Sequence, residues 1–271
     1  MNKKIIASLD LDGTLLKDDK TISIETKNYL LDFEKKGNFP IINSGRAPRS
    51  VINFCNYLEI NSPYICYNGA FAYIPSNNKT IKIQLNKEIV KKIYHYLKCN
   101  QIIECVSLES DKNIYFDKEN EILNWFFSPI GMNIIKGNIE EIINEDVYIM
   151  CIVIKEPLLQ NKELIKKYFD TIPNYNIRFW SNSNIGEVYI DSVSKASTLK
   201  EIAKICGVFE ENVVVFGDAD NDIELLSEFQ NSFCMINGQD YLKTIAKYIT
   251  KKDNNHDGVI SSLDDFINNK L

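Results

Sequence analysis

Short apolar runs alternate with amphipathic segments at both ends of the chain. Each run is four or five residues long and is flanked by polar residues or glycine, as expected for buried parallel strands. In the amphipathic segments the apolar positions repeat at helical spacing, with Ser23 placed to cap the first helix and Gly207 to end a later one. The predicted strands span residues 5–9, 39–43, 64–67, 213–216 and 232–236, and the predicted helices span 23–36, 48–58, 196–206 and 222–229.

The middle of the chain follows a different pattern, in which strand-like and helical segments favour a small α+β unit with its sheet covered on one face. The sequence therefore predicts an α/β protein with a Rossmann-like parallel-sheet core, residues 1–81 and 189–271, and an inserted α+β domain, residues 82–188. Within the insert the predicted helices span residues 87–97, 119–127 and 162–169, and the predicted strands span 102–108, 113–116, 147–154 and 177–180.

Charge and cysteine content argue against several classes of protein. The formal net charge is −6 and no dense basic block occurs, so we expect no nucleic-acid partner. No stretch reaches the roughly 20 apolar residues that span a bilayer, and the N-terminal residues lack the apolar stretch of a secretory signal. The seven cysteines form no C-x-x-C pair, which fits reduced thiols in a cytoplasmic protein. The sequence carries no signal for oligomeric state.

Acidic side chains follow two of the predicted strands. Asp10 and Asp12 come after the first strand, and Asp218 and Asp222 come after the strand at residues 213–216. In open α/β sheets ligands bind beyond the carboxyl ends of the strands, so these side chains can converge there. Clustered carboxylates repel one another, and a hard divalent cation such as Mg²⁺ removes that conflict. We expect a magnesium site, although each Asp taken singly also fits a surface turn or a helix cap.

Four segments together resemble the motifs of the haloacid dehalogenase superfamily. Residues 10–15, Asp-Leu-Asp-Gly-Thr-Leu, resemble its first motif, Ser44 its second and Lys195 its third. Residues 217–222, Gly-Asp-Ala-Asp-Asn-Asp, resemble its fourth. The large insert between the second and third motifs is similar to the cap domain of subclass IIB, the Cof-like branch, in which phosphatases of sugar phosphates and related metabolites dominate. The resemblance covers nearly the whole chain.

The resemblance implies a magnesium-dependent phosphatase of small-molecule phosphate esters. Asp10 would be the nucleophile that forms an aspartyl-phosphate. Asp12 would act as general acid and then as general base, and its backbone carbonyl would bind the metal. The implied catalytic residues are Asp10, Asp12, Ser44 and Lys195, and the implied metal ligands are Asp10, Asp12, Asp218 and Asp222.

Substrate contacts are implied at five positions, namely Gly45, Arg46, Asn68, Asn221 and Arg178. Arg46 fits an ion pair equally well, Asn68 with Gly69 fits a plain hairpin turn, and Asn221 would orient Lys195 or the phosphate. In the cap domain, side chains able to contact a substrate are Trp125, Arg178, Trp180, Asn182, Asn184 and Glu187.

The chain departs from the family pattern at three places, one of which is the segment before Lys195, residues 190–194, which is shorter than usual. Lys195 is followed by Ala196 where glycine is usual, and residues 235–238 read Met-Ile-Asn-Gly in place of Met-Gly-Asn-Ala. None of these changes removes a catalytic group. Two alternatives to a phosphatase stay open, a phosphomutase on the same scaffold and a catalytically idle phosphosugar-binding protein, whereas a dehalogenase would not need the second aspartate.

Overall fold

A computed structural model describes residues 3–121, 123, 130–181 and 183–269 of the chain. The chain divides into two units, the first built from Met1–Lys82 and Val193–Leu271 and the second from Ile83–Ser192. The sequence had placed these boundaries after residues 81 and 188.

The first half of the first unit follows the predicted alternation of strands and helices. Helix α1 begins where the Ser23 hydroxyl accepts a hydrogen bond from the Thr26 amide, and it ends before Gly37, whose φ is +88°. The helices are α1 (Ile24–Lys35) and α2 (Pro48–Leu58), and the strands are β1 (Ile6–Leu9), β2 (Phe39–Asn43), β3 (Tyr64–Cys66), β4 (Phe71–Ile74) and β5 (Lys79–Lys82).

The second unit is a six-stranded sheet with two long helices packed on one face. Alternate strand residues such as Val106, Leu108 and Ile152 form its core with Val90 and Ile165 of the helices. The strands are β6 (Ile103–Glu109), β7 (Asn113–Phe116), β8 (Asn133–Lys136), β9 (Ile149–Ile154), β10 (Tyr175–Phe179) and β11 (Ile185–Ile190), and the helices are α3 (Lys87–Cys99), α4 (Ile139–Ile142) and α5 (Leu158–Phe169).

The chain then returns to the first unit and completes its sheet. The eight strands lie in the order β14-β13-β12-β1-β2-β3-β4-β5, parallel from β14 to β3 and antiparallel beyond. The order reverses between β1 and β12, which is the position where open α/β sheets bind ligands. The added strands are β12 (Val213–Gly217), β13 (Asn231–Cys234) and β14 (Tyr248–Ile249), and the added helices are α6 (Lys195–Cys206), α7 (Ile223–Glu228), α8 (Asp240–Lys243) and α9 (Gly258–Ile267).

The predicted α/β core with an inserted α+β unit is confirmed, but five strands of the described residues, β4, β5, β8, β11 and β14, lie outside the predicted ranges. Strands β5 and β8 are mostly exposed and lack a clear apolar face, so their pattern is weak. Strand β11 contains Gly186, where a Cβ would lie 2.7 Å from Ile177 Cδ1 of the neighbouring strand, so the glycine serves close packing. Most of the predicted helix at 119–127 lies outside the described residues. Within the described part of the chain, none of the helices has the length and apolar character needed to cross a membrane.

Candidate active site

The predicted site residues of the first unit follow four strands that are neighbours in its sheet. Asp10 follows β1, Ser44 follows β2, Asn68 follows β3 and Asp218 follows β12. Because these strands are parallel, their carboxyl ends meet at one edge. The sheet therefore brings together side chains from sequence positions more than 200 residues apart, as the hydrogen bond between Thr14 and Asp218 shows.

Three carboxylates form a cluster at this edge. Oxygen atoms of Asp10, Asp218 and Asp222 all lie within 4.8 Å of one another. Asp10 and Asp222 are buried, with 5% and 0% of their surfaces exposed, and Asp218 is half-buried. Isolated carboxylates at such depth would be strongly destabilising, so the cluster requires positive charge nearby.

Lys195 supplies part of that charge. It is the first residue of α6, and its fully buried ammonium donates to Asp10 Oδ1 at 2.6 Å and to Asp222 Oδ1 at 2.7 Å. Lys195 is therefore not a solvated lysine at the start of a helix. Burial by itself would lower the pKa of Lys195, but Asp10 and Asp222 raise it above its ordinary value, so the side chain stays charged.

The positive charge of Lys195 does not balance the negative charge of the three carboxylates. Burial raises the pKa of Asp10 well above 3.8, and Asp222 and Asp218 raise it further while Lys195 acts in the opposite direction. Burial and the neighbouring Asp222 raise the pKa of Asp218 to about 7. With one ammonium for three carboxylates, the deprotonated cluster carries net negative charge and suits a cation.

Hydrogen bonds hold the carboxylates of Asp218 and Asp222 in place. Thr14 Oγ1 donates to Asp218 Oδ1 at 2.7 Å. Asp222 Oδ2 accepts from the backbone amides of Asp218 and Ala219 at 3.0 and 3.3 Å, which leaves its Oδ1 for Lys195. Gly13 sits directly against this group with φ of +75°, and a Cβ there would lie 2.3 Å from Asp218 Oδ2.

Asp12 lies apart from the three-carboxylate cluster. Its carboxylate accepts two hydrogen bonds from the Arg46 guanidinium, at 2.6 and 2.7 Å, and one from Lys20 Nζ at 2.8 Å. Burial acts to raise the pKa of Asp12, but these donors outweigh it and hold the pKa below its ordinary value. The structure shows the ion pair of Arg46 with Asp12, and a substrate contact of Arg46 stays a prediction. The expectation that the Asp12 backbone carbonyl binds a metal stays a prediction.

The predicted phosphate-binding segment is tightly packed. Ser44 is buried, and its hydroxyl accepts a hydrogen bond from the Arg46 amide at 3.2 Å. A Cβ at Gly45 would lie 2.9 Å from Asn68 Oδ1, so only glycine fits there without displacing that amide. Asn68 adopts a left-handed conformation, φ +53°, in the connection between β3 and β4, which confirms the predicted hairpin turn. Asn221 Nδ2 donates to Asn68 Oδ1 at 2.9 Å, and a contact of Asn221 with the phosphate stays a prediction.

Three residues that the sequence interpretation did not assign also shape the site. Lys20 contacts Asp12, and nothing in the local sequence marks it for that role. Asn43 Nδ2 donates to Ser8 Oγ at 3.1 Å and to the Lys195 carbonyl at 3.2 Å, which anchors the start of α6 to β1 and β2. The sequence signal for Asn43 is that a polar residue ends the apolar strand β2. Asn237 Nδ2 donates to the Gly13 carbonyl at 2.7 Å and supports the loop after β1.

The cap candidates lie in the second unit. Arg178 of β10 lies opposite Glu187 of β11 in the antiparallel register of the two strands. The Arg178 guanidinium lies 5.0 Å from the centre of the Tyr189 ring. Trp180 Nε1 donates to Glu187 Oε2 at 3.3 Å. Trp125 and Asn182 are outside the described residues. A substrate contact for Arg178 stays a prediction.

The donor set fits magnesium. Mg²⁺ prefers carboxylate oxygens together with water and substrate phosphate, and Asp10, Asp218 and Asp222 offer three such oxygens within 4.8 Å of one another. The set contains no sulfur or imidazole ligand, which softer metals would favour. A buried cluster of carboxylates able to hold a hard cation, with a lysine beside it, is suited to phosphoryl transfer.

The chain belongs to the haloacid dehalogenase-like hydrolases, whose family pattern it matches over residues 7–263. A 5-amino-6-(5-phospho-D-ribitylamino)uracil phosphatase of Bacillus subtilis is 30% identical over 273 residues, which cover 97% of this chain and 98% of that protein. A phosphatase of Escherichia coli with the same name is 24% identical and covers 97% of this chain and 96% of its own length.

Solved structures share the fold. A Thermotoga maritima protein superposes with a TM-score of 0.81 at 25% identity, covering 96% of this chain and 97% of its own. A sugar phosphatase of haloacid dehalogenase subclass IIB superposes with a TM-score of 0.80 at 24% identity, covering 97% and 99%. The resemblance drawn from the four motifs is confirmed, and so is the assignment of the chain as an enzyme of the phosphoric monoester hydrolase type.

Proposed function

We propose that the chain is a Mg²⁺-dependent phosphatase that hydrolyses small phosphate monoesters through an aspartyl-phosphate on Asp10. The observation that supports this is the arrangement of Asp10, Asp218 and Asp222 within 4.8 Å of one another, with the Lys195 ammonium between two of them. When bound, Mg²⁺ neutralises the carboxylates and stabilises the charge of the phosphoryl oxygens.

In the first step an oxygen of Asp10 attacks phosphorus and the ester P–O bond breaks. The leaving oxygen takes its proton from Asp12, and the phosphoryl group stays on Asp10. Lys195, 2.6 Å from Asp10 Oδ1, and the buried hydroxyl of Ser44 are the donors that would bind the phosphoryl oxygens.

In the second step a water molecule attacks phosphorus, its proton goes to Asp12, and phosphate leaves a free Asp10. The contacts with Arg46 and Lys20 hold Asp12 as a carboxylate, which suits this base role. The donor role in the first step needs a protonated Asp12, so we expect these contacts to loosen when substrate is bound.

The substrate that we propose is a phosphorylated sugar, sugar alcohol or similar metabolite. Three of the relatives are named for a phosphoribityl substrate, and a structural neighbour is named a sugar phosphatase. A cytoplasmic location is in keeping with the seven cysteines, all of which are free thiols.

The test is turnover of p-nitrophenyl phosphate with Mg²⁺ and with EDTA. We expect activity that requires Mg²⁺ and is lost in Asp10→Asn, while circular dichroism shows an unchanged fold. Asp240→Asn, which changes an exposed carboxylate outside the site, is the matched control and should keep wild-type activity. Wild-type turnover in Asp10→Asn would exclude Asp10 as the nucleophile.

A panel of phosphorylated metabolites that includes 5-amino-6-(5-phospho-D-ribitylamino)uracil then tests the substrate class. We expect phosphate release to be fastest with a polyol or sugar phosphate. Phosphoryl transfer that depends on a bisphosphate activator, with little free phosphate, would instead identify a phosphomutase.

A further inference from the structure

Three polar side chains in the second unit form a continuous chain of contacts. His95 and Cys99 lie one turn apart in the last part of α3, so they share a helix face. His95 Nε2 is 3.4 Å from Cys99 Sγ, and His95 Nδ1 is 2.8 Å from Oε1 of Glu140 in α4. All three residues line a cavity of about 520 Å³. They lie outside the set of residues that the proposed phosphatase chemistry uses.

The contact with Glu140 selects the tautomer of the neutral imidazole. A carboxylate only accepts hydrogen bonds, so the bond from His95 places the proton on Nδ1. In the neutral ring the lone pair is then on Nε2, the nitrogen beside Cys99. A nitrogen lone pair and a sulfur atom are therefore presented side by side to the cavity.

We propose that His95 Nε2 and Cys99 Sγ bind a thiophilic divalent cation of the Zn²⁺ type, with water completing the coordination. Tetrahedral Zn²⁺, with bonds of about 2.3 Å to sulfur and about 2.0 Å to nitrogen, places these two ligand atoms roughly 3.6 Å apart. The observed separation of 3.4 Å matches this spacing. On binding, the Cys99 thiol loses its proton to solvent and the thiolate bonds to the metal.

Glu140 and the helix both favour the cation. A carboxylate on the second nitrogen of a metal-binding histidine fixes the ring and makes it a better ligand, and Glu140 occupies that place. Cys99 is the last residue of α3, where the partial negative charge of the helix end stabilises a cation.

The same position argues against a nucleophilic thiolate activated by His95. A negative charge on Cys99 without a metal would face the negative end of α3. The last helical turn presents carbonyl groups and not N–H groups, whereas stabilising an oxyanion requires N–H donors.

Ligand chemistry separates this site from the acidic cluster. Sulfur and imidazole select zinc-type cations, whereas the carboxylates of Asp10, Asp218 and Asp222 suit Mg²⁺. The proposal therefore does not rest on the proposed phosphatase function, and it is tested with saturating Mg²⁺ present.

The test titrates Zn²⁺ into the full-length reduced protein and measures alkylation of Cys99 by iodoacetamide, with peptide mass spectrometry. We expect Zn²⁺ to slow Cys99 labelling at least tenfold. The half-protecting concentration should rise about 10- to 100-fold in Glu140→Gln and further in His95→Ala. Both changes are at the surface, with 38% and 64% of the side chain exposed, and should leave the fold intact.

Cd²⁺ gives a second readout, the ultraviolet thiolate-to-metal charge-transfer band. The band should be lost in Cys99→Ser and kept in Cys206→Ser, which changes the half-buried thiol of α6. Labelling of Cys99 that Zn²⁺ does not change, or protection that survives His95→Ala, would overturn the proposal. A slower reaction of Cys99 in His95→Ala, with no effect of Zn²⁺ on either protein, would identify an activated thiol instead.

Discussion

The ammonium nitrogen of Lys195 lies 2.6 Å from Oδ1 of Asp10, although 185 residues separate the two in sequence. Both side chains are buried, and the same ammonium reaches Asp222 at 2.7 Å. When no metal ion is bound, the positive charge of Lys195 is the main factor that offsets the repulsion among the three carboxylates. The consequences can be measured as stability and as activity.

Lys195→Met should destabilise the metal-free protein strongly. The change leaves Asp10 and Asp222 buried without their shared partner, and removing one member of a buried ion pair costs about 3–5 kcal/mol. The measurement is the free energy of unfolding by urea at pH 7 in EDTA, and added Mg²⁺ should recover part of the loss.

Lys200→Met is the control, because Lys200 lies on the same helix and forms an ion pair with Glu228 in which both side chains are about a third or more exposed. We expect this exposed pair to contribute under about 1 kcal/mol. Equal losses in the two variants would show that the buried contact has no special role.

The metal-free protein should lose stability as the pH rises from about 4 to 7 through the titration of Asp218. Its pKa is about 7 in the folded protein against 3.8 ordinarily, so in this window the folded state binds the extra proton and is favoured at the acidic end. The contribution is on the order of 4 kcal/mol across the window. Urea unfolding in EDTA, compared between wild type and Asp218→Asn, isolates it.

Saturating Mg²⁺ should abolish this pH dependence, because the metal binds the deprotonated carboxylates. The same competition predicts that Mg²⁺ binds more tightly at pH 8 than at pH 6. If the metal-free wild type and Asp218→Asn show the same dependence of unfolding free energy on pH, Asp218 is not the source of that dependence.

Gly13→Ala should impair catalysis much more than Gly37→Ala. Both glycines have a positive φ, +75° and +88°, so the backbone strain is similar. A Cβ at Gly13 would lie 2.3 Å from Asp218 Oδ2, whereas nothing lies within 4 Å at Gly37. Displacing the carboxylate by about 1 Å would lower kcat/KM roughly 100-fold. Similar kcat/KM values in the two variants would show that the site tolerates the displacement.

Asp12→Ala should separate the two chemical steps when p-nitrophenyl phosphate is the substrate. The p-nitrophenolate group leaves without a proton, so the first step proceeds, but the second step loses its base and slows by roughly 10² to 10⁴. Stopped-flow absorbance should show a burst of about one equivalent of p-nitrophenolate, followed by slow turnover. Asp19→Ala, at an exposed carboxylate of the same loop, should show wild-type kinetics. Slow release without a burst would place Asp12 in the first step alone.

The sequence determined much of the fold and the identity of the acidic groups. Apolar runs such as residues 39–43 marked strand β2, and the aspartates after two such runs marked the edge of the sheet where ligands bind. Local patterns sufficed for these because strand length, helix caps and the residues that follow a strand are properties of short segments. Exposed edge strands such as β5 were not predicted from the sequence, because they bury too little side-chain surface to need an apolar pattern.

Only the tertiary structure decided the electrostatic state of each group. Asp10 and Asp12 are two residues apart, yet burial raises the pKa of Asp10 while Arg46 and Lys20 hold that of Asp12 low. The sequence also could not predict that His95 contacts both Cys99 and Glu140, because 45 residues separate His95 from Glu140. The sequence specifies which groups exist, but charge and proton affinity depend on desolvation and on neighbours that the long-range pairing of strands and helices brings within a few ångströms.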